Sequence, residues 1–161
     1  MKSKVIIWFL SQLLFVSVVN AQDVDFKKYS ANLKTINHAK KLQINGANKK
    51  YKTLLTGLSK QPINFAGHYV LDSFGCGGGC QALAVYNAKT GHAFIHPQTF
   101  SDCYSQTYGF VSRDYDFHTN SRLLVVTGSR SAQPYQCEKV YYLVDENGFA
   151  EISQSWIYKK D

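Results

Sequence analysis

Six residues, Gly75-Cys76-Gly77-Gly78-Gly79-Cys80, carry the clearest chemical signal in the chain. Two cysteines four apart with only glycine between them make a tight loop without side chains. Glycine enters positive φ freely, so the loop can bend far enough to bring the sulfurs together. Four uses compete. The expected one is a structural disulfide stapling a hairpin tip. A redox-active pair is the second, although such motifs usually open a helix, whose N-terminus stabilises the thiolate, and here strand-like segments flank the loop. A metal site is the third: Cys76 and Cys80 with His68 would suit Cu(I) or Zn(II). The fourth is an anion cradle built from successive inward N–H groups.

Cys103 and Cys137 complete an even set of four cysteines. Four cysteines allow three pairings. Pairing Cys76 with Cys80 and Cys103 with Cys137 joins close neighbours and ties two distant segments, and it is the expected arrangement. On the chain-entropy argument, closing the second loop stabilises by about 3–4 kcal/mol.

The other reactive side chains form no coherent catalytic set. His92, Phe94 and His96 fall on one face of a short strand, where the two histidines could chelate a metal; a satisfied strand histidine is the expected state. His68 and Asp72 have the types of a base and its orienter, but four residues along a strand is too far for a direct hydrogen bond. No serine sits in a Gly-x-Ser-x-Gly turn. Asp72, Asp102, Asp114, Asp116, Glu138 and Glu151 are carboxylates that nothing in the sequence pairs for glycoside hydrolysis. A different chemistry is suggested by residues 97–120, where Tyr104, Tyr108, Phe110, Arg113 and Tyr115 lie among Ser, Gln, Thr, Asp and Gly. Tyrosine offers rigid contact area and small polar residues offer adaptable hydrogen bonds, the composition of a protein-binding loop. Tyr104, Tyr108, Arg113 and Tyr115 are the candidate ligand contacts, and Cys103 would tether the loop.

These residues need a frame. Phe26, Tyr29, Leu33 and Ile36 share one helical face, with Asp25 as cap, and Tyr51, Leu54, Leu55 and Leu58 mark a second short helix that Pro62 follows. Asn45 to Asn48 reads as a break between them. Beyond residue 64 the period becomes strand-like. Residues 67–74, 81–86 and 92–96 form an antiparallel meander around the glycine loop and the turn 87–91. If residue 75 pairs with 81, Leu71 faces Val85 and Ser73 faces Leu83. Residues 122–128 are a continuous apolar run, hence a strand buried on both faces, and residues 138–144, 149–152 and 156–158 continue the sheet past an Asn-Gly turn. The fold class is therefore α+β: N-terminal helical segments, then a mostly antiparallel meander sheet stapled by disulfides.

The chain has 161 residues, 45% hydrophobic and 18% charged, which is enough for one domain with a real core. Residues 1–21 read as a signal peptide: Lys2 and Lys4, an apolar run from Val5 to Val19, and small residues before Gln22. The mature domain is then 22–161, with 22–61 basic and partly helical and 62–161 β-rich. Nine lysines stand against Asp23 and Asp25 in residues 22–60, a face expected to be solvated. An even cysteine count agrees with a secreted or periplasmic location, and no second long apolar run would insert the mature chain in a membrane. Nucleic acid is not an expected partner of an exported chain without a binding motif.

Asn64-Phe65-Ala66-Gly67-His68-Tyr69, Gly75-Cys76-Gly77-Gly78-Gly79-Cys80, Ala84-Val85-Tyr86 and Thr90-Gly91 together resemble an uncharacterised family of small exported bacterial proteins. In that family an Asn-Phe-Ala-Gly-x-Tyr segment precedes a Gly-Cys-Gly-x-x-Cys loop. Phe74 stands where a Trp often precedes the Gly-Cys, a conservative departure. The resemblance implies export and a local fold, and it transfers no catalytic residue or cofactor. The expected function is a non-catalytic binding domain for a protein or cell-envelope ligand, of an inhibitor or immunity type. The alternative is a periplasmic metal-binding or thiol-redox protein using the glycine loop.

Overall fold

A computed structural model describes residues 25–33, 39–130, 136–145 and 148–159. The expected signal peptide, 1–21, lies outside the described residues. So does Ile36 of the first expected helix. The chain is mostly strand with one short helix. In order come a 3-10 turn Phe26–Tyr29, β1 (Gln43–Ile44), a 3-10 segment Gly46–Tyr51 leading into α1 (Lys52–Leu58), β2 (Tyr69–Gly77), β3 (Cys80–Asn87), β4 (His92–Ile95), β5 (Phe100–Ser101), β6 (Cys103–Ser105), β7 (Gly109–Val111), β8 (Asp114–Phe117), β9 (Leu123–Arg130), β10 (Cys137–Asp145) and β11 (Gly148–Tyr158).

The main sheet runs β1-β4-β3-β5-β9-β10-β11, with β2 on the free side of β3 and β8 beside β9. Two meanders, β2-β3-β4 and β8-β9-β10-β11, are thus joined through β5. The register in the first is the one that closure at residues 75 and 81 demands: Leu71↔Val85, Ser73↔Leu83, and then Val85↔Phe94. Odd-numbered side chains of β2 and β3 therefore point to one face, where Tyr69, Leu71, Leu83 and Val85 meet Leu124, Val126, Val140, Tyr142 and Val144 of the second meander. Phe65 lies at the centre of that core, with Phe117 and Phe149 rings at 5.8 and 6.0 Å. Even-numbered residues of the first meander, Val70, Ala84 and Tyr86, pack on Leu55 and Leu58 of α1. The first meander is thus covered by α1 on one face and by the second meander of the same sheet on the other.

Four expectations need correction. The first helix stops at Tyr29: Asp25 caps it through the amides of Lys27 and Lys28, but Ser30 is extended. Its physical cause is tertiary. Ala31 donates to the carbonyl of Asn120, and Arg122 donates to that of Tyr29, so the segment bridges to the start of β9 instead of bonding to itself. The expected break at 45–48 is the entry to the second helix, since Gly46 opens the 3-10 segment. The sheet is mostly antiparallel, as expected, with one parallel pair, β1 beside β4. Residues 97–120 hold four short strands, and the expected pair 149–152 and 156–158 is one strand. The register skips Ile152 and Ile157, both inside the expected segments, while the polar run Ser153-Gln154-Ser155 that separated them in the pattern stays paired with β10.

Phe65 is fully buried and touches aromatic rings of three other segments, Tyr69, Phe117 and Phe149. Phe65→Ala is expected to cost about 3–5 kcal/mol. Urea denaturation reads this as a lower midpoint at unchanged slope.

Candidate functional site

β5 ends at Ser101, and two residues later Cys103 enters the β6–β7 hairpin. Cys103 bonds Cys137 at the start of β10, with Cα atoms 5.6 Å apart. Both cysteines are fully buried, and Val111 and Tyr158 pack around them as a small separate cluster. The pairs are Cys103↔Val111, Tyr104↔Phe110 and Ser105↔Gly109. Alternation then divides the hairpin. Cys103 and Val111 face the disulfide cluster, and Tyr104 and Phe110 face water. The turn is closed by the Ser105 hydroxyl, which accepts from the amides of Thr107 and Tyr108. Tyr104, Tyr108 and Phe110 are 53, 66 and 65% exposed. Tyr108 stacks on Tyr158 at 5.3 Å, so one of the three rings is braced against the end of β11. At the base, Asp102 accepts from both the Arg113 amide, at 3.0 Å, and its guanidinium, at 2.9 Å.

The four expected ligand contacts therefore split. Tyr104 and Tyr108 lie on this hairpin. Arg113 is held by Asp102 and by the carbonyl of Gly79. Tyr115 packs edge-on against Phe100, and burial pushes its hydroxyl up to about 12, with nearby Arg113 acting in the opposite sense. Tyr115 is thus half-buried against the core, and with Arg113 it lines a separate depression that also includes Asp72 and Asp114. Phe110 belongs with the exposed pair. Its signal was the mirrored order Cys103-Tyr104 and Phe110-Val111, apolar-in and aromatic-out on two strands. Trp156 and Ile157 of β11 are also more than a third exposed, next to Tyr158 in sequence.

The metal alternative is not assembled. Cys76 and Cys80 form a disulfide, with Cα atoms 5.4 Å apart, so in this oxidised state the two sulfurs bond to each other. His68 lies against the Tyr69 ring in a tilted arrangement at the opposite end of β2, about 26 Å from Cys76 along an extended strand. Among the described residues no group of three His, Cys, Asp or Glu side chains could hold a metal ion. His92 and His96 do not pair either. Four residues of strand separate them by about 13 Å, and Phe94 stands between, stacked on His92 at 5.5 Å.

His96 belongs instead to a cleft between β4 and β11, about 620 Å³, lined also by Tyr69, His92, Phe94 and Phe149. It is 5% exposed, and its ring lies edge-on to Tyr142 and Phe149 at 5.0 and 5.4 Å. The Gln98 amide donates to its Nδ1 at 3.2 Å. Burial pushes its pKa below the ordinary 6.5, opposed by the Gln98 backbone.

No family model matches the chain, and no curated protein or solved structure is significantly similar to it.

Because native His96 resists protonation, the unfolded chain binds that proton first as pH falls. Its contribution to stability is full above about pH 6.5 and declines below it. His96→Gln is expected to flatten the fall in unfolding free energy between pH 7.5 and 5.5, by denaturation at both values. An unchanged pH slope would contradict this.

Proposed function

We propose that the chain is an exported, non-catalytic binding domain whose partner is a protein that docks on the β6–β7 hairpin. One observation carries the reading: Tyr104, Tyr108 and Phe110 stand more than half exposed on a hairpin that a buried disulfide fixes to the sheet. Leaving three aromatic rings in water on a tethered element forgoes their burial. Large rigid aromatics are the side chains that dominate protein interfaces, because they add contact area at little entropic cost. The small polar residues beside them, Ser105, Thr107 and Ser112, supply hydrogen bonds at the rim. An inhibitor or immunity role suits a domain of this size.

Export is supported by the charged and apolar pattern of residues 1–21, by two disulfides, and by the resemblance of residues 64–91 to small exported bacterial proteins. No helix among the described residues is long and apolar enough to cross a membrane.

A photo-crosslinker at position 104 is expected to capture one exported protein in the native host, and that protein, once purified, should bind the domain in calorimetry. The triple change Tyr104→Ser, Tyr108→Ser and Phe110→Ser should weaken Kd at least tenfold while the β-sheet circular dichroism is kept. Equal affinity of the triple variant, or turnover of a substrate by the pure domain, would overturn the proposal.

A further inference from the structure

The two disulfides occupy opposite environments. Cys103 and Cys137 are fully buried. Cys76 is exposed and Cys80 half-buried, at the tip of the β2–β3 hairpin. The glycines of the tip face open space: a Cβ built on Gly75, Gly77, Gly78 or Gly79 would meet nothing within 4 Å. All three glycines inside the loop have positive φ, at 91, 58 and 80°, so a side chain there would be strained. The hairpin below it is paired continuously from Tyr69↔Asn87 to Gly75↔Gln81, and buried residues on both faces fix that register. A bond that closes so short a loop on an already specified hairpin adds little to the fold.

Cys80 has a second neighbourhood. It pairs directly with Ser101 of β5, and directly opposed residues of an antiparallel pair project to the same face. The Ser101 hydroxyl is buried and has no hydrogen-bond partner among the described residues. A buried donor without an acceptor is costly and calls for an explanation. From the other side Arg113 donates to the Gly79 carbonyl at 3.1 Å, which places a guanidinium one residue from Cys80 and anchors that end of the loop.

We propose that Cys76–Cys80 is a thiol-exchange disulfide, reduced by a dithiol protein, with Cys80 the sulfur released as a thiolate beside the Ser101 hydroxyl. A thiolate of the partner attacks the exposed Cys76 Sγ. The bond between Cys76 and Cys80 breaks, and its electron pair leaves on Cys80. The second partner thiol, deprotonated, attacks the partner's own sulfur in the mixed disulfide and releases Cys76. The partner departs as a disulfide, oxidised by two electrons, and the cysteine pair of this chain is reduced by two; the two thiol protons pass to Cys76 and to solvent. Ser101 supplies the acceptor-seeking donor, and Arg113 is a positioning residue. The site is separate from the aromatic hairpin and does not rest on the binding proposal.

The test is a dithiothreitol redox titration of the purified oxidised domain, quenched by alkylation and read by peptide mass. Cys76 and Cys80 are expected to become alkylated under conditions where Cys103 and Cys137 stay paired and the near-ultraviolet circular dichroism is unchanged. In Cys76→Ser, the Cys80 thiol should titrate, by thiolate absorbance, below the ordinary value of about 8.5. Adding Ser101→Ala should move it back toward that value and slow its alkylation at pH 7 at least threefold. Reduction of both disulfides together, or a Cys80 thiol that titrates at or above the ordinary value and ignores Ser101→Ala, would overturn the proposal.

Discussion

Two residues hold the two halves of the sheet together. Phe100 and Ser101 pair with Gln81 and Cys80 on one side and with Arg130 and Ser129 on the other. Phe100 sends its ring into the core shared by both meanders. The splice tolerates nothing larger than glycine at position 128, where a Cβ would stand 2.9 Å from the Ser101 carbonyl. Everything proposed to act is placed from here. Ser101 lies opposite Cys80. Asp102, the next residue, clamps Arg113, which reaches the glycine tip. Cys103 follows and fixes the aromatic hairpin to β10. Tip and hairpin are thus set by one short hydrogen-bonded seam.

The core end near that seam is closed by charge. Glu138 is buried, and its carboxylate accepts from Nε and Nη2 of Arg130 at 2.6 and 2.8 Å, while Nη1 reaches Glu151 at 2.8 Å and Gln154 also contacts the guanidinium. The hydrogen bonds to Glu138 raise the Arg130 pKa still further, so the cation is permanent. Removing one partner would strand a buried charge, which is far more destabilising than never having built the pair. Glu138 adjoins Cys137 in sequence, so the network also steadies the strand end to which the hairpin is bound.

How much of this could be read from residues follows the range of the interactions. The tip register, the second helix and the buried strand β9 rest on local pattern, and the cysteine pairing on spacing; all are present in the structure. The segment 97–120 hid four strands because each is only two to four residues long, so even the alternation of Asp114-Tyr115-Asp116-Phe117 is too short to stand out from a loop rich in Ser, Gln, Thr and Gly. The first helix failed because Tyr29 and Ala31 bond to residues about ninety positions away. Composition singled out Tyr104 and Tyr108, and the structure places both exposed on the β6–β7 hairpin. Arg113 and Tyr115 have the same composition but different fates, since Asp102 and Phe100 capture them only in the folded chain. His68 was never able to join Cys76, because a continuous strand separates them.

Docking through the exposed rings requires the hairpin to be a rigid platform. Backbone 15N relaxation of the oxidised domain measures this directly for residues 103–111. Order parameters near 0.85, equal to those of the central strands, are the expected result. Values below 0.6 would mean a mobile loop, and would contradict a preorganised binding surface.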